Sequence, residues 1–214
     1  MTYPTFDEEL SLWKNGYDYV IGVDEVGRGS FAGPVVASAV VLKSFCTDLP
    51  FYSTVNDSKL LSKKKRTTLA PLICNAALFY STSIVQLDKI NSEGIGKATE
   101  KALENAILDI YSKINNHNKV FVLIDGYLPK NITKHGIKIK NIIQGDKKVK
   151  SIAAASIIAK NYRDTLMDHI HNHFPIYNFK KNKGYGTAEH IKALKLFGLS
   201  AIHRQSFNLD KYIL

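Results

Sequence analysis

Tyr19-Val20-Ile21-Gly22-Val23 is an apolar, β-branched run that leads without interruption into Asp24-Glu25 and then Val26-Gly27-Arg28-Gly29. Such a run is a buried strand, so two acids stand at its carboxyl end, ahead of a turn that brackets an arginine with glycines. Neighbouring side chains of a strand point to opposite faces. In a regular strand Asp24 and Glu25 therefore cannot both face one ion; a twist or bulge re-aims one of them, or a main-chain carbonyl substitutes. Gly27 and Gly29 reach backbone torsions closed to other residues and let the main chain approach a phosphate closely. The alternative for this stretch alone is a solvated acid pair before a tight turn.

Gly27, Gly29 and Ala32 also fit the letters of a dinucleotide-binding fingerprint, which requires a helix to open directly after the glycines. Pro34 and the β-rich Val35 to Leu42 follow instead, so the stretch reads as strand, turn, strand and offers no helix amino terminus to a pyrophosphate. With 214 residues, 45% of them hydrophobic, the chain can bury a core of one large domain. A formal charge of +10 favours an anionic partner, and nucleic acid is the commonest soluble one. Cys46 and Cys74 lack CxxC spacing and suggest neither a disulfide framework nor a zinc site, which fits a reducing compartment. Residues 1–12 have no basic and apolar blocks of a leader, and the apolar runs are too short to span a bilayer, so a cytoplasmic protein is expected.

The rest of the chain alternates between strands and helices. Val35 to Leu42 is expected to pair with the first strand as an antiparallel hairpin. Asn56-Asp57-Ser58-Lys59 is turn chemistry, and Ser62 caps a helix whose Lys63, Lys64, Lys65 and Arg66 form a solvated face and which Pro71 kinks or ends. Leu78 to Leu87 is a third strand. Residues 95–114 place Ala98, Ala102, Leu103, Ala106, Ile107, Ile110 and Ile114 on one helical stripe. Lys119 to Ile124 is a buried strand ending in Asp125-Gly126, and Ile137 to Ile143 is another ending in Gly145-Asp146. Ser151 is expected to cap a long helix from Ile152 to about Phe174, stopped by Pro175; Asp164 and Asp168 on it are solvated or paired with Arg163. A basic, aromatic segment from Tyr177 to Gly186 precedes a helix over Thr187 to Phe197, and such interleaving suits backbone charge plus base stacking. Residues 203–214 carry no assignable pattern. His169, His171 and His173 lack a carboxylate or cysteine at ligand spacing and fit a helix carboxyl terminus through its dipole.

Strands ending in Asp24 and Glu25, Asp125 and Asp146 bring four acids to one end of a sheet. Carboxylates gathered in this way shift their pKa values upward or bind hard cations, with magnesium or manganese the natural occupants of an all-oxygen site. A basic protein holding such a cluster points to phosphodiester chemistry by two-metal hydrolysis.

Six ordered blocks carry a resemblance: Asp24-Glu25-Val26-Gly27-Arg28-Gly29 with Ala32-Gly33-Pro34, Asn56-Asp57-Ser58-Lys59, Ile124-Asp125-Gly126, Gly145-Asp146, Ser151 to Lys160, and Lys183-Gly184-Tyr185-Gly186-Thr187. Together they resemble bacterial ribonuclease HII from about Tyr19 to Phe207. The start of the core by Tyr19 favours this family over the related ribonuclease HIII, which has an extra amino-terminal domain. The resemblance implies an α/β, ribonuclease H-like fold with a mixed five-stranded sheet flanked by helices. It divides the chain into an amino-terminal segment (1–18), a catalytic core (19–174) and a carboxyl-terminal helical segment (175–214) that contacts nucleic acid.

The same resemblance implies cleavage of the RNA strand of RNA/DNA hybrids. It also implies incision 5′ of single ribonucleotides in duplex DNA, leaving a 3′-hydroxyl, by a monomer dependent on Mn2+ or Mg2+. Carried over residue by residue, Asp24, Glu25, Asp125 and Asp146 match the catalytic acids, with Asp24, Glu25 and Asp125 the principal metal ligands. Gly27, Arg28 and Gly29 match the loop that senses the junction between a ribonucleotide and the next deoxynucleotide, where close main-chain approach can reach a 2′-hydroxyl. Tyr185 matches the tyrosine that stacks under the sugar, and Lys59 and Lys183 would hold phosphates. Gly186 departs from the proline of many relatives, which would loosen the loop. The competing readings are a catalytically inactive nucleic-acid-binding protein on this fold, and a DNA nuclease or nucleotidyl transferase with a similar acid cluster.

Overall fold

A computed structural model describes residues 3–44 and 47–213; Cys46 lies outside them, and Cys74 is a half-buried free thiol. Strand β1 (Tyr19–Val26) occupies the middle of a five-stranded sheet in the order β3-β2-β1-β4-β5. It pairs antiparallel with β2 (Val35–Leu42), which pairs antiparallel with β3 (Ala77–Val85). On its other side β1 pairs parallel with β4 (Val120–Asp125), and β4 pairs parallel with β5 (Lys138–Ile142). The sheet is therefore mixed, as expected.

Alternation along β1 divides the core in two. Ile21 and Val23 pack with Val35, Ala37, Ala39 and Val41 of β2 on the face covered by helix α3 (Leu87–Tyr111). The stripe on α3 is buried there as its spacing demands, and each fully buried isoleucine, such as Ile107 or Ile110, contributes about 1.5–3 kcal/mol. The helix begins earlier than expected and is broken at Gly94. Val20, with Leu123, Ile142 and Ile152, faces the opposite side, where helix α4 (Lys150–His173) crosses the sheet. A Cβ at Gly22 would overlap the main chain of Ser151, so this glycine lets α4 lie directly against β1.

Several local expectations fail for tertiary reasons. Helix α2 (Lys63–Ala76) starts at Ser62, whose hydroxyl accepts from the Lys65 amide, but runs through Pro71. Leu69, Ala70 and Ile73 are buried on either side of the proline, and the carbonyl deprived of its donor belongs to exposed Thr67; burial thus outweighs the roughly 3 kcal/mol proline penalty. Arg66 is not part of a solvated face. It is buried, donating to the carbonyls of Ser58 and Leu61 and to Asp164, while Lys63 pairs with Asp168. Asp164 and Asp168 accordingly find Arg66, Lys160, Lys63 and Lys183 as partners, and Arg163 turns elsewhere.

Ser151 does not cap α4. The helix opens after Val149, and the Ser151 amide donates to the Glu9 carboxylate 2.7 Å away, on helix α1 (Asp7–Lys14). Thr5 forms a parallel bridge with Val149, so the first residues of the chain hold the amino terminus of the helix that backs the sheet. The carboxyl-terminal part contributes α5 (Phe179–Asn182) and α6 (Ala188–Phe197), the latter capped by Thr187. Its Tyr177, Phe179 and Leu194 form a separate small core with Ala32 and Met167.

Candidate active site

The parallel register sets Val23 beside Ile124, so Asp24 and Asp125 follow side by side at the ends of β1 and β4. Both continue the face that carries Val20 and Leu123, toward α4. Asp146 arrives from the short 3-10 turn Gly145–Lys147 that links β5 to α4. One carboxylate oxygen from each of Asp24, Asp125 and Asp146 lies within 4.8 Å of the others. Pairing of β1 with β2 stays regular through Val26, without the bulge that would swing Glu25 round. Glu25 is outside this trio but lines the same pocket, close enough for its charge to act on Asp24 and Asp125.

The cluster is electrostatically strained. Burial first, and then Glu25, push Asp24 well above the usual carboxylate range, with Asp125 and Asp146 adding to the rise and the Ser156 hydroxyl opposing it. Burial also raises Glu25, against the pull of Arg28, and raises Asp125 against the Gly145 amide, which donates to it at 3.0 Å. Asp24 accepts the Glu25 amide at 2.8 Å. The cation nearest the trio is Lys59, whose ammonium is 3.1 Å from Asp146. Burial works to lower its pKa, but Asp146, with Asp24 and Asp57, raises it overall. Crowded carboxylates, all-oxygen donors and one rim lysine fit a hard divalent cation.

A pocket of about 280 Å³ joins Asp24, Glu25, Lys59 and Asp125 to Gly27, Arg28, Gly29, Tyr127 and Tyr185. Arg28 is exposed, its guanidinium 5.4 Å from the centre of the Tyr127 ring. Tyr185 has the charged groups of Lys160 and Arg163 at 5.6 and 5.5 Å from its ring centre. Lys183 departs from expectation. It is buried and bonds to Asp168 and the Asp164 carbonyl, so it anchors the loop that carries Tyr185 and presents no free charge to a phosphate. Gly186 is required by packing, since a Cβ there would overlap the Phe31 ring.

Sequence reasoning missed two residues that shape this site. Arg163, from α4, donates to the carbonyls of Pro34, Lys183 and Ala32 and to the Ser30 hydroxyl. Arg204, from the tail, donates to the carbonyls of Gly27 (2.7 Å), Arg28 (2.8 Å) and Gly33 (2.9 and 3.0 Å). Both are fully buried. Burial and then the neighbouring Arg163 lower the Arg204 pKa to about 9. A trans peptide points its N–H opposite to its C=O. With the Gly27 and Arg28 carbonyls drawn inward, the amides of Arg28 and Gly29 therefore point outward. Gly27, at φ +90°, packs on Arg163 where a Cβ would overlap the guanidinium.

An acidic trio from the carboxyl ends of two parallel strands and the turn after a third, beside a main-chain loop with outward amides, defines a metal-dependent phosphodiester hydrolase on a ribonuclease H-like fold. The model of the family Ribonuclease HII matches residues 21–209. The ribonuclease HII of Chlamydia caviae is 43% identical over 204 residues, covering 94% of this chain and 89% of that protein. Among solved structures, the PCNA:RNase HII complex from Archaeoglobus fulgidus contains a chain similar to this one, with a TM-score of 0.70 and 22% identity over 89% of this chain and 95% of that one. Bst-RNase HIII in complex with Mn2+ has a TM-score of 0.69 and 18% identity over 95% of this chain and 71% of that one. These last two likenesses speak to the fold. The chain belongs to the ribonuclease HII family, divalent-metal-dependent endoribonucleases that act on the RNA strand of RNA/DNA hybrids.

Proposed function

We propose that the chain incises duplex DNA on the 5′ side of an embedded ribonucleotide, in addition to cutting hybrids, and that Asp24, Asp125 and Asp146 hold its divalent cation. The observation that carries this reading is the convergence of three carboxylate oxygens within 4.8 Å beside a glycine-bracketed loop. When bound, Mg2+ or Mn2+ supplies activation of a water and stabilisation of the departing 3′-oxygen. The protein groups do the rest. Glu25, at the pocket wall beside the trio with a raised pKa, would accept a proton or orient water. Lys59, exposed at the rim next to Asp146, is the cation available to a phosphate oxygen.

The amides of Arg28 and Gly29 and the ring of Tyr185 border the same pocket, which supports a role in distinguishing a 2′-hydroxyl and its following deoxyribose. In this reading residues 19–174 are the catalytic core, and residues 175–214 hold the duplex with Lys180, Lys181, Lys192 and Lys195. No helix among the described residues is long and apolar enough to cross a membrane. The same reading takes the protein as a cytoplasmic monomer. Asp125→Asn tests the assignment. Cleavage of an RNA/DNA hybrid should vanish in both Mg2+ and Mn2+ while hybrid affinity stays within about twofold, because a ligand carboxylate and no phosphate contact is removed. Undiminished cleavage would refute the proposed metal site.

A further inference from the structure

His190 and His203 are 13 positions apart, and neither carries a signal in the sequence, yet both side chains are fully buried and their Nε2 atoms are 3.0 Å apart. His190 lies in the first turn of α6, and His203 lies in the tail, where it forms an antiparallel bridge with Ala32. The hydrogen bonds around them fix one tautomer for each ring. The Ser200 amide can only donate, and it meets His203 Nδ1 at 2.8 Å, with the Ser200 hydroxyl also at 2.8 Å. His203 Nδ1 therefore accepts, and its ring hydrogen sits on Nε2, aimed at His190 Nε2. That atom accepts in turn, which leaves the His190 hydrogen on Nδ1, 2.9 Å from the Tyr185 carbonyl. The same carbonyl also accepts the Thr187 amide at 2.8 Å, and the Tyr185 amide donates to Asn182 at 2.9 Å.

We propose that His190 and His203 form a neutral imidazole relay, running from Ser200 to the Tyr185 carbonyl, and are positioning residues for ribonucleotide recognition. The inference rests on the reading of Tyr185 as the junction-sensing ring. It assigns the relay a mechanical task. His203 is tied through Ala32 to the strand end that follows the Gly27–Gly29 loop, and Gly184 accepts the amides of Phe31 and Ala32. The relay thus holds the tyrosine at a set distance from the loop amides. A proton added to either ring would place donor against donor, at Ser200 or between the two rings. Phe31, Tyr177 and Phe179 surround the pair. Of the titratable groups nearby, Tyr177 donates its hydroxyl to the Gly198 carbonyl, Arg204 turns to the loop carbonyls and Glu189 pairs with Lys181. Burial, and for His203 the facing His190, lower both pKa values, that of His203 to about 4.

Imidazole nitrogen NMR of the wild-type protein tests the relay directly. The expected spectrum has a hydrogen on Nδ1 of His190 and on Nε2 of His203, unchanged between pH 8 and pH 5; a cationic ring or the opposite tautomers would overturn the proposal. His203→Leu should lower kcat/KM about tenfold on duplex DNA carrying one ribonucleotide, and less on an RNA/DNA hybrid. His203→Gln, which retains an acceptor and a donor, should recover most of that loss. Equal losses on both substrates, without rescue by glutamine, would reduce the pair to structural filler and contradict the proposal. Tyr185→Ala separates the two failures. Unchanged selectivity in that variant overturns the junction reading and this inference with it, whereas selectivity lost there but intact in His203→Leu overturns the relay alone.

Discussion

Two groups of charge converge on one pocket, the acids that gather at its floor and the buried arginines that hold its glycine loop from behind, and the fold treats them in opposite ways. The acids Asp24, Asp125 and Asp146 crowd one another with few internal donors, and their pocket is open to solvent. The arginines Arg163 and Arg204 are buried more deeply, and their partners are neutral carbonyls of the Gly27 to Pro34 turn and a serine hydroxyl, with Lys183 supplying one further carbonyl. An acid cluster with only partial internal compensation destabilises the fold and creates affinity for an external cation. A saturated guanidinium does the reverse: it spends its donors on holding the main chain, and the benefit appears as outward amides. Binding capacity lies where the charges are unsatisfied, and selectivity where they are satisfied.

The sharpest way to break this comparison is to neutralise one member of each group. Asp24→Asn should lower cleavage about a thousandfold, yet raise the metal-free melting temperature, because it removes a buried charge that repels its neighbours. Arg204→Met should do the opposite to stability. Stranding the carbonyls of Gly27, Arg28 and Gly33 costs about 3–5 kcal/mol in denaturant unfolding, and cleavage of all-DNA duplex relative to ribonucleotide-containing duplex should rise. A stabilised Arg204 variant or a destabilised Asp24 variant would invert the account.

Metal and pH provide a smaller, graded test. The folded-state pKa values of Asp24, Glu25 and Asp125 are raised above their unfolded values, so between the two values the folded protein holds more protons than the unfolded chain. Without metal, these groups therefore leave stability intact below the unfolded carboxylate pKa and subtract from it as pH rises through the window up to the folded values. A divalent cation at about 100 times its Kd adds about 2.7 kcal/mol at pH 7.5, which is about 5–10 °C in melting temperature. That increment should shrink as pH falls toward 5, and an undiminished increment at pH 5 would place the cation elsewhere. The smallest effect belongs to Lys59→Ala. With its side chain 74% exposed, its ion pair with Asp146 contributes less than about 1 kcal/mol to stability, while KM for duplex should rise several-fold.

What was legible in the sequence was local. The β-branched runs ending in Asp24 and Asp125, the hairpin into Val35, the cap at Ser62 and the apolar stripe on α3 all follow from periods of 2 and 3.6 within a few residues. Alternation also raised the question of which acid faces the ion, and the structure gathers Asp24, Asp125 and Asp146 within 4.8 Å with Glu25 outside that trio. The illegible parts depend on partners far along the chain. Arg204 meets Gly27 across 177 positions, Arg163 meets Pro34 across 129, and Glu9 meets the amino terminus of α4 across 142. Nothing near Arg66 or Lys183 distinguishes a buried cation from a solvated one, and the burial of Leu69 and Ile73 that carries α2 through Pro71 is equally remote from local propensity.

The central claim is that the acid cluster supplies cleavage and the clamped loop supplies its address. Incision of an end-labelled DNA duplex with one internal ribonucleotide, beside the same duplex without it, tests this most directly in Mg2+ and in Mn2+. The account predicts metal-dependent cutting on the 5′ side of the ribonucleotide and none of the all-DNA duplex. Comparable cutting of both duplexes, or binding without incision in either ion, would contradict it.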